Sequence, residues 1–113
     1  MPRINLHDIA NTLDDTLDAE QTHLARAGGT VAVWSEAATG IVICVTDVAP
    51  DGDPEVFSPD HNDGVETDRL FIGVYPSYDS YMDGDMYSDQ ATVPASMDDL
   101  AEAVRTLNEK HSA

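Results

Sequence analysis

At 113 residues, 42% apolar and 24% charged, the chain has material for one hydrophobic core and is too short for two; this predicts a single domain over residues 1–113 and excludes wholesale disorder. Its 22 acidic residues against 5 basic ones give a formal net charge of -17. Such a charge argues against direct nucleic-acid binding, which needs cations to displace phosphate counterions, and against anionic membrane surfaces.

From Ile4 to Arg26 the residues Leu6, Ile9, Leu13, Leu17 and Leu24 recur at the helical period, which predicts an amphipathic helix stopped by Gly28-Gly29. Its polar face carries Asp8, Asp14, Asp15 and Asp18 around Asn11. Glu20 is out of place, since the same period sets it on the apolar side between Leu17 and Leu24. Two β-rich runs follow, Thr30 to Ser35 and Ile41 to Val48, joined by a connection of hairpin length. Trp34 is expected at the edge of the core, and Cys44, the only cysteine, as a small buried hydrophobe with no disulfide partner.

Residues 49–68 hold Pro50, Gly52, Pro54, Pro59 and Gly64 without periodicity and read as a long acidic loop. Leu70 to Tyr75 is the next predicted strand, with Pro76 bending it or marking an edge. Asp83-Gly84 suits a tight turn, which predicts a partner strand from about Met86 to Val93. Ser96 as N-cap, Asp98 and Asp99 in the first turn, and the stripe Leu100, Ala103, Val104, Leu107 and His111 predict a helix from Met97 to His111. With no helical crossover between strands, the fold class expected is α+β: an antiparallel sheet of about four strands flanked by an N-terminal and a C-terminal amphipathic helix.

Chemical motifs are sparse. Asp51-Gly52-Asp53-Pro54-Glu55, Asp60-His61-Asn62-Asp63 and Asp83-Gly84-Asp85 space oxygen ligands as calcium loops do, yet the positions that an EF-hand gives to Gly and Glu hold Val56 and Asn62. His7 and His23 fall too far apart around a helix to chelate together, and only His61, between Asp60 and Asn62, has a setting that suggests a ligand or catalytic role. No nucleophile elbow and no phosphate-cradling glycine loop is present, so neither an enzyme nor a cofactor is expected. The N-terminus has no signal-peptide apolar region and no stretch approaches membrane-spanning length, which predicts a cytoplasmic location.

The segment from Tyr75 to Asp89 concentrates all four tyrosines and two of the four methionines among aspartates. Tyrosine offers large contact area at low entropy cost and methionine adapts to irregular surfaces, so Tyr78, Asp79, Tyr81, Asp83, Asp85, Tyr87 and Asp89 are candidate partner-binding residues. Read as a strand, the segment sets Tyr81 and Asp79 on one face and Tyr78, Ser80 and Met82 on the other. Together with Asp8, Asp14, Asp15 and Asp18 they would meet a basic protein surface, by attraction that salt weakens.

In size and charge the chain resembles acidic decoy proteins of viruses and mobile elements, whose carboxylates stand in for phosphates. It is similar in the same respects to bacterial immunity proteins and acidic secretion chaperones. The resemblance implies a non-enzymatic protein that inhibits or masks a basic, nucleic-acid-binding partner. Two alternatives stay open: 16 of the 22 acids are Asp and Lys110 is the only lysine, a composition also expected of a salt-adapted domain of unrelated function, and the turn aspartates leave room for weak calcium binding.

Overall fold

A computed structural model describes residues 3–17, 22–27, 30–37, 40–48, 54–55, 65–83 and 90–111. In chain order the elements are β1 (Arg3–Ile4), α1 (Leu6–Leu17), β2 (Thr22–Ala27), β3 (Thr30–Glu36), β4 (Val42–Val48), β5 (Pro54–Glu55), β6 (Val65–Glu66), β7 (Arg69–Tyr75), α2 (Tyr78–Asp83), β8 (Gln90–Pro94) and α3 (Met97–His111). The fold is α+β, with an antiparallel sheet ordered β2-β3-β4-β7-β8 and β5 paired to the end of β4. A separate short pair joins β1 to β6.

Asn5 caps α1: its side chain accepts the His7 N–H at 2.8 Å and its carbonyl accepts the Asp8 N–H at 3.0 Å. The helix ends at Leu17 rather than running to Arg26. Thr22–Ala27 forms a strand instead, paired with β3 from Thr22 opposite Ser35 to Ala27 opposite Thr30. Glu20, which sits badly in a helix running to Arg26, lies outside the described residues. The glycine pair that reads as a helix stop lies outside the described residues, and the residues that flank it, Ala27 and Thr30, are paired. With β2 and the short β5 the sheet has six strands, where about four were expected.

β3 and β4 form the expected hairpin. The Ala37 N–H donates to the Ile41 carbonyl and the Gly40 N–H to the Ala37 carbonyl, both at 2.8 Å. Gly40 has φ 96°, a left-handed conformation open to glycine and costly for a side chain. In the 49–68 stretch the two short strands β5 and β6 replace part of the expected loop.

Strand alternation divides the sheet into two unlike faces. Val33, Ile43, Val45, Leu70, Ile72 and Val74 point to one side, where they form one core with Leu6, Ile9, Leu13 and Leu17 of α1 and Leu100, Val104 and Leu107 of α3. Each fully buried aliphatic there contributes about 1.5–3 kcal/mol. The C-terminal helix runs from Met97 to His111 as its cap and stripe predict, with the Leu100 N–H donating to the Ser96 carbonyl at 2.9 Å. Trp34, Cys44 and Tyr75, from alternate positions on β3, β4 and β7, belong to the opposite face.

The two expected strands pair, and the segment between them holds a helix; Gly84 and the expected start of the partner strand at Met86 lie outside the described residues. Tyr78–Asp83 is α2, and β8 pairs with β7 from Arg69 opposite Pro94 to Gly73 opposite Gln90. Pro76 follows the last residue of β7, where no ladder N–H is required of it.

Candidate functional site

α2 begins because Ser77 caps it. The Ser80 N–H donates to Ser77 Oγ at 3.2 Å and the Tyr81 N–H to the Ser77 carbonyl at 3.0 Å, with Asp79 in the first turn. A period of 3.6 then replaces the period of 2 expected of a strand, and the tyrosines regroup. Tyr78 and Tyr81, three residues apart, share one helix side and both rings rest on Trp34, with centroids 5.4 and 5.2 Å away. Tyr81 also meets Tyr75 edge-on at 5.0 Å and an interplanar angle of 81°. These separations fall in the range where aromatic pairs attract beyond simple area burial.

The seat of this cluster is built from three strands. Trp34 of β3 faces Cys44 of β4, and Cys44 faces Gly73 of β7. Gly73 puts no side chain beside the thiol, and the Tyr81 hydroxyl is hydrogen-bonded to Cys44. Burial pushes the Cys44 thiol up from 9.0 to about 11, against the smaller downward pull of that hydrogen bond. Tyr81 is raised by burial first, and then by the charge that Cys44 would carry and by their hydrogen bond; Tyr75 is raised by burial and by Cys44. At neutral pH the thiol is therefore protonated, a packing and hydrogen-bonding group rather than a thiolate nucleophile.

The outer side of α2 is a different surface. Tyr78 is 43% exposed and Met82 65%, the large hydrophobic side chains most open to solvent among the described residues. Asp79 and Asp83, also exposed, are four residues apart and lie beside them around the helix. α2 thus presents an apolar pair bordered by two carboxylates, on a helix anchored through Tyr81.

Of the residues singled out from the sequence, Tyr78, Asp79, Tyr81 and Asp83 come together on α2. Asp8 and Asp15 are exposed and Asp14 is half-buried on α1. Those acids lie across the sheet from α2, because the apolar stripe of α1 joins the core on the other face. Asp18, Asp85, Tyr87 and Asp89 lie outside the described residues, as do His61 and the acids of 51–53 and 60–63. Among the described residues no three His, Cys, Asp or Glu side chains gather as metal ligands, and no helix is long and apolar enough to cross a membrane. Sequence reasoning missed the seat formed by Trp34, Cys44 and Tyr75; the local signal available was the cap Ser77-x-x-Ser80, which marks a helix start after Pro76. In comparisons with known proteins, no family model, no curated protein and no solved structure matches the chain.

Proposed function

We propose that the protein is a non-enzymatic acidic binding protein that inhibits or masks a basic protein partner, with the outer side of α2 as its contact. The observation that carries this reading is the exposed Tyr78 and Met82 pair beside Asp79 and Asp83. An aromatic and a methionine supply desolvated contact area, and adjacent carboxylates select Arg and Lys on the opposing surface. The net charge of -17 draws a basic partner from a distance, and where that partner's groove serves nucleic acid, the carboxylates take the places of phosphates. Replacing Tyr78 and Met82 together by alanine should weaken the partner by roughly tenfold to a hundredfold, about 1.4–3 kcal/mol, while the lost contact of Tyr78 with Trp34 costs about 1 kcal/mol of stability and leaves Tyr81 holding α2. Equal affinity of the double variant and the wild type would remove α2 from the contact.

A second reading, salt adaptation with a function unrelated to the charge, is favoured by where the carboxylates lie. Exposed acids occur on both sides of the sheet: Asp8 and Asp15 on α1 and Asp98, Asp99 and Glu102 on α3, against Asp79 and Asp83 on α2. A phosphate-mimicking surface concentrates its charge, whereas solvation in concentrated salt spreads it. Under this reading the melting temperature climbs steeply from dilute buffer to molar potassium chloride, as repulsion among carboxylates is screened. A melting temperature independent of salt would rule it out.

A further inference from the structure

β8 ends the sheet, and among the described residues no strand pairs with its outer edge. The Ala95 N–H donates to the Asp68 carbonyl at 3.1 Å, one step beyond the pair Arg69 and Pro94. In an antiparallel ladder, alternate residues bond to one neighbour and the residues between them direct both backbone groups the other way. By that alternation Val93 and Ala91 bond to β7, while Gln90 and Thr92 direct N–H and C=O outward. Pro94 falls at an outward position, where its missing N–H leaves β7 fully paired.

On the helix side of this edge lies a groove of about 370 Å³ between β8 and α3. Ala91, Val93, Ala103 and Leu107 give it an apolar lining, and the short side chains of Ala91 and Ala103 leave the trough unfilled. Asp99 and Glu102, three residues apart on α3 and both exposed, border it. An edge that no described residue pairs, an apolar trough and two carboxylates therefore stand side by side.

We propose that this edge takes up an extended basic segment of a partner protein as an added strand. Main-chain bonds to Gln90 and Thr92 hold the segment, and its alternate side chains fall on the groove side, where apolar residues fill the trough and Lys or Arg reaches Asp99 and Glu102. A second copy of the chain is a poor occupant, because each copy carries a charge of -17 and would bring its own carboxylates to the same place. Pro94 shortens the usable edge and discourages indiscriminate strand pairing. This contact is separate from α2 and does not rest on it.

The test is fluorescence anisotropy with a labelled peptide whose alternate positions are valine and lysine in turn, with threonine between them, so that one face carries both kinds of side chain, beside the same peptide N-methylated at alternate residues so that one edge cannot pair. The wild-type protein should bind the unmodified peptide roughly tenfold or more tightly than the methylated one. Thr92→Pro, which removes an outward N–H, and Ala103→Leu, which fills the trough, should each weaken binding by a similar factor. Equal binding of the two peptides would overturn the proposal, since net charge alone would then account for the attraction. Wild-type affinity in Ala103→Leu would overturn it too, even if Thr92→Pro fails to fold. So would loss of the peptide in the Tyr78→Ala, Met82→Ala variant, or sedimentation showing that the chain pairs with itself through this edge.

Discussion

Replacing Tyr81 with alanine should lower the free energy of unfolding by about 3 kcal/mol, at the low end of the range for emptying an aromatic site because the ring is half-buried. The loss has three sources. The ring gives up its contacts with Trp34 and Tyr75, the hydroxyl leaves Cys44, and α2 loses its main anchor. Six residues cannot sustain a helix in water without tertiary support, and α2 has no fully buried residue of its own. Release of α2 should therefore accompany the mutation and be visible as a change in Trp34 fluorescence under native conditions. Tyr81→Phe keeps the ring contacts and loses only the hydroxyl, so it should cost about 1 kcal/mol and leave Trp34 fluorescence nearly unchanged. A midpoint of denaturation for Tyr81→Ala equal to that of the wild type would contradict the anchoring role.

A second large effect is expected in alkali. The folded state holds the Cys44 proton up to about 11, whereas an exposed thiol releases it near 9.0. Above the lower value the unfolded chain sheds a proton that the folded chain retains, so deprotonation favours unfolding. Stability from this group is complete below about pH 9 and is lost as pH rises to about 11, an effect of about 3 kcal/mol by linkage. Tyr75 and Tyr81, raised in the same direction, steepen the decline. Urea denaturation at a series of pH values checks this, and Cys44→Ala should flatten the curve between 9 and 11. If the wild-type and Cys44→Ala curves run parallel across that window, the thiol is not buried and protonated as described.

How much of this was legible in the sequence depends on whether the deciding contacts are local. The last helix runs from Met97 to His111 as predicted, because cap, first-turn acids and apolar stripe all lie between Ser96 and His111 and agree. The strands from Thr30 and Leu70 announce themselves by β-branched and aromatic runs. Thr22–Ala27 was misread because Leu24 fits a helical stripe, while its actual state is decided by six backbone pairs with β3. In the tyrosine segment two local signals competed, Asp83-Gly84 for a turn and Ser77 with Asp79 for a helix start. The helix prevails with Trp34, Cys44 and Tyr75 beneath it, residues from three strands that only the folded sheet brings together.

The candidate site divides along the same line. That Tyr78, Asp79, Tyr81 and Asp83 lie together could be anticipated from their closeness in sequence. Which tyrosine packs inward could not, since a strand separates Tyr78 from Tyr81 and a helix unites them. Nor could the sequence tell that the aspartates of α1 face away from α2, because that depends on which side of the sheet each helix covers.

The most direct measurement is an affinity capture from the source cell at moderate salt, with the wild-type protein and the Tyr78→Ala, Met82→Ala variant as parallel baits, both held well below their melting temperatures. Both baits carry the same net charge, so proteins held by charge alone bind both equally and cancel in the comparison. The account predicts a basic protein retained by the wild type and lost, by tenfold or more, from the variant. An identical set of proteins on the two baits, released together as salt is raised, would contradict it.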